Sequence, residues 1–182
     1  LAAGTPMTFH DHFSEHAEDY ARFRPTYPES LYTFLAETVT ARGLAWDCAT
    51  GNGQAAVGLA KHFERVIATD ASRPQIAQAL AHPRVEYRVA EATHSGLGNA
   101  SVDLVTIAQA LHWFDTPTFY TEVRRVLKPA GVCAAWGYGL MRIAPAIDAV
   151  VDHYYRDVVG PYWPPERGHL DAGYRSLGFP FA

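Results

Sequence analysis

The stretch that decides the fold is Asp47-Cys48-Ala49-Thr50-Gly51-Asn52-Gly53, which follows a short apolar run and precedes a helical pattern. Glycines at positions 51 and 53 let the backbone turn sharply and approach a ligand closely. The turn leads into a helix, whose N-terminal end is positively polarised. A strand, a glycine turn and a helix in this order are typical of the ligand-binding edge of an open α/β sheet.

Short apolar runs alternate with helical patterns on both sides of this turn. We predict strands at 44–47, 66–70, 85–90, 102–108 and 132–136, and helices at 54–63, from Ser72 with Pro74 in the first turn, and from Thr116 until Pro129 to Gly131 end it. This alternation predicts a doubly wound, Rossmann-like parallel sheet with helices on both faces.

The regions flanking the alternating pattern look different. Residues 8–42 read as helical, with a break between Pro25 and Pro28, and a second helix at 29–40 is expected to bury four residues at helical spacing. These four are Leu31, Phe34, Leu35 and Val39. We therefore expect residues 1–42 to form a helical cap and residues 43–182 to form the α/β domain. A further helix is expected to about residue 158, and no strand is evident in 168–182.

Composition excludes several classes of protein. Among 182 residues, 15 Lys and Arg stand against 19 Asp and Glu, and the net charge of −4 supplies no basic stripe for a nucleic-acid backbone. No apolar run reaches the length of a membrane span. Two cysteines favour a reduced, cytoplasmic setting. His12 and His16 are four residues apart, but no further ligand accompanies them, so we expect no metal site.

Acidic and polar residues end successive predicted strands. Asp70 lies nineteen positions after Gly51, and Glu91 and Gln109 follow the third and fourth strands. A carboxylate at the Asp70 position can accept hydrogen bonds from both hydroxyls of a ribose. Gly51-x-Gly53-x-x-Ala56 also fits the dinucleotide fingerprint, which keeps an NAD(P)-dependent oxidoreductase open. Asp47, however, suits the ammonium group of a ligand better than a pyrophosphate.

Taken in order, these motifs resemble those of the class I S-adenosylmethionine-dependent methyltransferases. The resemblance covers about residues 9–140 and lies in the small-molecule branch (methyltransferase type 11), nearest to proteins related to trans-aconitate methyltransferase. It implies a strand order of 3-2-1-4-5, S-adenosylmethionine as cofactor, and methyl transfer to a small-molecule acceptor, possible acceptors including a carboxylate. A catalytically inactive cofactor-binding module is the further alternative.

The resemblance also implies roles for individual residues. Those expected at the methionine part of the cofactor are Asp47, Ala49, Gly51 and Gly53; those at the ribose and adenine are Asp70, Ala71, Glu91 and Ala92; and Gln109 lies below the methyl donor. On the acceptor side the resemblance places Tyr20 and Arg24 in a helical lid, and we expect Trp113 to line the pocket. His112 becomes a candidate proton acceptor where the methylated group is a hydroxyl or an amine.

Two departures from the family pattern carry expectations of their own. Ala49 replaces the usual first glycine, and we expect it to be tolerated with a backbone at negative φ. The family's last two strands are not evident after Leu140, so we expect a C-terminally incomplete domain or an exposed fifth strand that could pair in a homodimer. In the implied strand order the fourth strand separates Cys48 from Cys133, and both are expected to be free thiols.

Overall fold

One parallel five-stranded sheet organises the protein. The computed structural model describes residues 25–181, and its strands lie in the order β3-β2-β1-β4-β5. The strands are β1 (Leu44–Cys48), β2 (Arg65–Asp70), β3 (Val85–Val89), β4 (Val102–Ala108) and β5 (Leu127–Trp136). The sequence-based prediction of a doubly wound parallel sheet in this order is confirmed.

Helices cover both faces of the sheet. They are α1 (Glu29–Glu37), α2 (Gln54–Leu59), α3 (Arg73–Ala77), α4 (Thr116–Val126), α5 (Pro145–His153) and α6 (Arg167–Asp171). Shorter helical turns are a 3₁₀ turn at Leu111–Trp113, a π turn at Tyr154–Val158 and a second 3₁₀ turn at Gly160–Tyr162. No helix among residues 25–181 has the length and apolar character needed to cross a membrane.

Alternate residues of the central strand enter two separate cores. In β1, Trp46 joins a cluster with Phe119 of α4, whereas Ala45 joins a cluster with Leu59 of α2 and Leu35 of α1. Side chains of a strand point alternately to its two faces, which explains this division. Because all the strands are parallel, their carboxyl ends lie along one edge of the sheet.

A buried carboxylate ties three strands together at the other edge of the sheet. Asp103 of β4 accepts hydrogen bonds from the N–H groups of Gly43 and Leu44, at 3.0 and 2.9 Å, and from Lys128 Nζ at 2.8 Å. These contacts join the starts of β1, β4 and β5. The opposite edge is left for the loops that carry the candidate site.

The helix predicted at 29–40 exists, but one of its expected core residues is wrong. Phe34 has 61% of its surface exposed, whereas Leu35 and Val39 are buried. Tyr32 and Ala36 complete the buried stripe. Positions 32, 35, 36 and 39 follow the three- and four-residue spacing of one helix face, and Phe34 lies on a different side of that helix.

The fifth strand begins earlier than the sequence predicts. Helix α4 ends at Val126, and β5 starts directly at Leu127 rather than after a loop at Pro129 to Gly131. Ala130 adopts a φ of 63°, and the register shifts between Val102 and Leu104 of β4. The proline–glycine segment is therefore an irregularity inside the strand and not the end of the helix.

The chain after β5 forms helices and loops, and no strand follows β5 as far as residue 181. The helix expected up to about residue 158 is α5 with its π turn. Within this part of the chain β5 pairs only with β4, and pairing of its free edge in a homodimer stays a prediction. Cys48 and Cys133 are buried free thiols, as predicted.

Candidate functional site

The glycine turn at 49–53 lies at the carboxyl end of β1, the edge at which open α/β sheets bind their ligands. The N–H of Thr50 donates to the carbonyl of Thr69 at 2.9 Å, and the N–H of Gly53 donates to the carbonyl of Thr50 at 3.0 Å. Three residues of the turn have positive φ: 54° at Ala49, 56° at Gly51 and 86° at Gly53. The turn is therefore fixed in a left-handed conformation that glycine adopts readily.

The expectation that Ala49 keeps a negative φ is wrong. Its φ of 54° lies in the left-handed region, which costs an L-residue with a β-carbon roughly 1–2 kcal/mol. The reason is positional, because the chain must reverse immediately after β1 and the first residue after the strand makes the turn. Ala49 thus follows the backbone path of the glycine that it replaces, at a cost in strain.

Asp70 at the end of β2 holds the turn from the adjacent strand. Its Oδ2 accepts the N–H of Gly51 at 2.9 Å, and its Oδ1 accepts the N–H of Ser72 at 2.8 Å. Ser72 caps α3 by accepting the N–H of Gln75 at 3.3 Å, as the sequence predicts. Asp70 is half-buried at the carboxyl end of β2, the edge at which open α/β sheets bind their ligands.

Asp47 holds the turn from within the protein. It is 1% exposed, and its carboxylate accepts hydrogen bonds from the hydroxyls of Thr50 at 2.5 Å and Thr106 at 2.8 Å. Burial raises the pKa of Asp47 to about 6, although the two threonine hydrogen bonds lower it and the negative charge of Asp70 adds to the rise. Asp47 is thus hydrogen-bonded to two threonines within the protein. Its contact with the ammonium group of a cofactor stays a prediction.

Tyr87 of β3 is a site residue that the sequence-based analysis missed. A β-carbon at Gly53 would overlap the hydroxyl group of Tyr87, whereas a β-carbon at Gly51 would approach only Gln75, at 3.8 Å. Tyr87 also donates a 2.7 Å hydrogen bond to the carbonyl of Leu80. Gly53 is therefore required by the protein's own packing, whereas a β-carbon at Gly51 would make only an ordinary van der Waals contact. No pattern in the sequence connects Tyr87 with this turn.

The residues expected near the adenine and the methyl donor lie at neighbouring strand ends. Glu91 follows β3 with a 74% exposed side chain, and its nearest partner is His94 at 3.9 Å. Ala92 packs against the core, and Ala71 follows Asp70 directly. Gln109 has a φ of 59° after β4 and donates its N–H to the carbonyl of Trp136 at 2.8 Å. All four lie at the open edge of the sheet.

His112 is buried beside Tyr174 in the 3₁₀ turn after β4. It is 4% exposed, and its Nδ1 lies 3.2 Å from the Tyr174 hydroxyl. Its ring also contacts Trp113, with ring centroids 4.5 Å apart. Burial, with smaller contributions from the positive charges of Arg167 and His169, lowers the pKa of His112 to about 4. His112 is therefore neutral at pH 7 and is a weak base.

Some sequence-based predictions fall elsewhere. Tyr20 and Arg24, the candidate lid residues, and the pair His12 and His16 lie outside the described residues. Within residues 25–181 no group of three or more His, Cys, Asp or Glu side chains could hold a metal ion. A shallow groove of about 520 Å³ near Lys128 lies at the opposite edge of the sheet, where Asp103 pairs with that lysine.

The fold and the strand-end residues together define a class of protein. A parallel sheet with its order reversing at β1, a left-handed turn after that strand and an acidic residue after the next are the features of a nucleoside-binding α/β domain. The hydrogen bond between Asp70 and the N–H of Gly51 brings the acidic residue and the left-handed turn together at one point of the sheet.

Comparisons with known proteins identify the family. A family model described as a methyltransferase domain matches residues 46–135. A Dictyostelium discoideum protein that is named as a methyltransferase is 43% identical to this chain over 177 residues. The match covers 95% of this chain and 67% of that protein. Methyltransferase cfoB of Aspergillus candidus is 30% identical over 205 residues, covering 98% and 64%. A solved structure assigned as a type II methyltransferase of Anaeromyxobacter dehalogenans shares 54% identity and a TM-score of 0.81, over 88% of this chain and 68% of that one.

The chain belongs to the class I S-adenosylmethionine-dependent methyltransferases. It spans about two thirds of the length of the relatives described above. Because the chain belongs to this family, it is not the NAD(P)-dependent oxidoreductase that the glycine fingerprint left open. It leaves the similarity to trans-aconitate methyltransferase a prediction.

Proposed function

We propose that this protein transfers a methyl group from S-adenosylmethionine to a carboxylate of a small molecule. The bound cofactor supplies a methyl group on a positively charged sulfur, which is already activated toward displacement. The protein therefore has to align two reactants, and proximity and orientation supply most of the rate. The choice of a carboxylate as the acceptor depends on the burial and the low pKa of His112.

His112 is the histidine placed at the end of β4, where the acceptor is expected, and its pKa of about 4 makes it a poor proton acceptor. A hydroxyl or amine acceptor must lose a proton during or after methylation, so it benefits from a general base. A carboxylate is already ionised at pH 7 and needs none. Tyr174 also occupies the Nδ1 side of His112, which supports a structural role for that ring.

We propose binding roles for the residues at the strand ends. Asp70 binds the ribose hydroxyls, and the turn at Gly51 and Gly53 accommodates the methionine part, with Asp47 holding that turn by its threonine contacts. Ala71 and Ala92 flank the adenine. Glu91 is the weakest candidate of this group, because its side chain is largely solvated.

Two measurements test the proposal. Calorimetric titration with S-adenosylhomocysteine and with NAD should show binding of the first ligand only. Methyl transfer from a tritiated donor should occur with acids in a panel of carboxylates, phenols and amines. The rate with a carboxylate should stay flat from about pH 7.5 to 9, because the acceptor, His112 and Asp47 all titrate at lower pH. Turnover of phenols alone, with a rate that rises with pH, would refute a carboxylate acceptor.

A further inference from the structure

The hydroxyl group of Tyr174 lies at the carboxyl ends of β4 and β5. A β-carbon at Gly137, the residue after β5, would lie 3.6 Å from that hydroxyl and 3.3 Å from Oε1 of Gln109. Gln109 follows β4 directly and donates its N–H to the carbonyl of Trp136, the last residue of β5. The Tyr174 hydroxyl and the Gln109 side chain therefore lie beside the same glycine, at the edge of the sheet that carries the candidate site.

Tyr174 belongs to the chain after β5, which folds back onto the end of β4. Helix α6 packs on the 3₁₀ turn at Leu111–Trp113. Three residues after α6, Tyr174 has a φ of 59° and donates its N–H to the carbonyl of His169 at 2.8 Å. A left-handed backbone costs a residue with a β-carbon roughly 1–2 kcal/mol, and it persists only where the surrounding contacts hold it. These contacts bring the Tyr174 ring to the turn that carries His112.

The Tyr174 hydroxyl and the His112 ring form a hydrogen-bonded pair. The hydroxyl oxygen lies 3.2 Å from Nδ1 of His112, and the two rings are stacked with their centroids 6.0 Å apart. Burial raises the pKa of Tyr174 to about 12, and a hydrogen bond from the backbone of Leu111 partly offsets this rise. The phenol therefore keeps its proton at pH 7. Because its oxygen already accepts the Leu111 hydrogen bond, that proton is available to Nδ1.

The second ring nitrogen of His112, Nε2, is open. A neutral imidazole has one N–H donor and one acceptor nitrogen, so a hydrogen bond donated to Nδ1 places the proton on Nε2. Nε2 has no hydrogen-bond partner among residues 25–181, and it is not one of the side-chain nitrogens that the protein encloses completely, as it encloses Nε1 of Trp136. An otherwise buried ring thus keeps one donor free at the end of β4, where an entering ligand can accept from it.

We propose that Tyr174 holds His112 with its proton on Nε2, and that this N–H binds the carboxylate that is methylated. The inference rests on the proposed function. Nε2–H donates to one carboxylate oxygen while the other oxygen attacks the methyl carbon of S-adenosylmethionine. The carbon–sulfur bond breaks, and its electron pair goes to the sulfur. The products are the methyl ester and S-adenosylhomocysteine, and no proton moves. The oxygen that His112 binds becomes the carbonyl oxygen of the ester.

A neutral N–H donor at this position selects acceptors by their hydrogen-bonding character. It attracts a carboxylate and rejects an ammonium group, which has donors only. Because the donor is uncharged, it orients the carboxylate while drawing less electron density from the attacking oxygen than a cation would. His112 is thus a specificity-determining residue. Tyr174, which lies outside the family match at 46–135, is a positioning residue that acts through it.

The position of the proton on His112 is measured by NMR of protein that contains nitrogen-15-labelled histidine and is saturated with S-adenosylhomocysteine. His112→Gln identifies the His112 signals by their loss. In the wild type Nε2 should carry the proton, and the Nδ1 signal should shift in Tyr174→Phe, which keeps the ring and removes the hydroxyl. The matched control is Tyr162→Phe, at an 85% exposed tyrosine, and it should shift nothing. A proton on Nδ1 in the wild type, or an unmoved signal in Tyr174→Phe, overturns the inference.

Binding and turnover of benzoate, hexanoate and succinate test the donor itself. Calorimetry on protein saturated with S-adenosylhomocysteine should show that His112→Leu binds these acids about tenfold more weakly or worse, the loss expected for a hydrogen bond to a charged group. His112→Gln keeps a side-chain N–H near the position of Nε2 and should retain most of the affinity. In steady-state methylation, Tyr174→Phe should raise KM for the acid by about threefold or more, with a smaller change in kcat. An unchanged affinity for S-adenosylhomocysteine shows that each variant is folded.

The outcomes separate this inference from the proposed function. If the acids bind with this dependence on His112 but are never methylated, the proposed acceptor class fails and the His112 donor stands. If the acids are methylated and neither His112→Leu nor Tyr174→Phe changes affinity or KM, the His112 donor alone fails. Absence of acid binding in the wild type also overturns it. If His112→Leu does not fold, Tyr174→Phe and the NMR measurement decide.

Discussion

Asp70 and Gly51 are joined by a 2.9 Å hydrogen bond from the glycine N–H to the aspartate Oδ2, across the gap between β1 and β2. This bond fixes the glycine turn at 49–53 relative to Asp70, the residue proposed to bind the ribose. Asp70 therefore holds the turn, and in our proposal the same carboxylate binds the ribose of the cofactor.

Asp70→Asn should weaken binding of S-adenosylhomocysteine by about tenfold to a hundredfold, since a hydrogen bond to a charged group contributes roughly 1.5–3 kcal/mol. Asparagine keeps one acceptor oxygen, so it can hold only one of the two N–H groups, of Gly51 and Ser72, that Asp70 holds. Isothermal titration calorimetry measures the change. Glu91→Gln is the control, and its 74% exposed side chain predicts less than about a threefold effect. Equal effects of the two substitutions would count against the ribose role of Asp70.

Gly53→Ala should lower the free energy of unfolding by about 2–4 kcal/mol, because left-handed strain adds to a clash with Tyr87. Gly51→Ala carries a similar strain, but its β-carbon would make only an ordinary van der Waals contact with Gln75, so about 1–2 kcal/mol is expected. Urea denaturation compares the two variants. Combining Gly53→Ala with Tyr87→Leu should recover part of the loss, and no recovery would show that Tyr87 is not the obstacle.

Ala49→Gly should leave the protein equally stable or stabilise it by up to about 1 kcal/mol, because relief of left-handed strain exceeds the added entropy of the unfolded chain. Ala55→Gly in α2 is the matched control, where φ is helical and a loss of about 1 kcal/mol is expected. Thermal and urea unfolding measure both. A loss of the same size at both positions would contradict the left-handed backbone at Ala49.

His112→Gln should change how stability depends on pH. The pKa of His112 is about 4 in the folded protein, against an ordinary value of 6.5. Between these values the unfolded chain binds a proton that the folded protein does not, so stability due to this group is present above pH 6.5 and is lost as pH falls to 4. Removing His112 should therefore reduce the fall in unfolding free energy over this range by roughly 2–3 kcal/mol.

Asp47 acts in the opposite direction over nearly the same range. Its pKa is raised by burial, so its contribution to stability decreases as pH rises from about 4 to 6. The comparison of His112→Gln with wild type cancels this effect, because both proteins keep Asp47. His94→Gln, at an 83% exposed side chain, is the matched control for replacing a histidine by a glutamine. Parallel curves for His112→Gln and wild type would contradict the burial of an uncharged His112.

The sequence predicts those parts of the site that lie at strand ends. Hydrophobic alternation locates the five strands, and parallel strands bring their carboxyl ends to one edge, so Asp70, Gln109 and the glycine turn could be placed together. The cap of α3 at Ser72 was predictable as well, because it depends on residues three positions apart.

Features that depend on contacts between distant segments could not be predicted in this way. The position of Tyr87 against Gly53 depends on how β3 packs beside the turn. The contact between His112 and Tyr174 depends on how the chain after β5 returns to the end of β4. The φ of Ala49 was predicted wrongly because residue type favoured one conformation and the reversal after β1 required the other. Phe34 was predicted to be buried, but the buried face of α1 includes the next residue, Leu35, and leaves Phe34 exposed.

Tyr87 connects β3, an outer strand of the sheet, with the glycine turn at 49–53. β3 is the last strand on its side of the sheet, and outer strands open more readily than central ones. Since the Tyr87 ring fills the space directly beside Gly53, local opening of β3 would also remove the support beneath the loop. Because we propose that the turn beside Tyr87 binds the cofactor, we expect ligand binding to stabilise β3, so that the amide hydrogens of β3 exchange more slowly once the adenosyl ligand is bound.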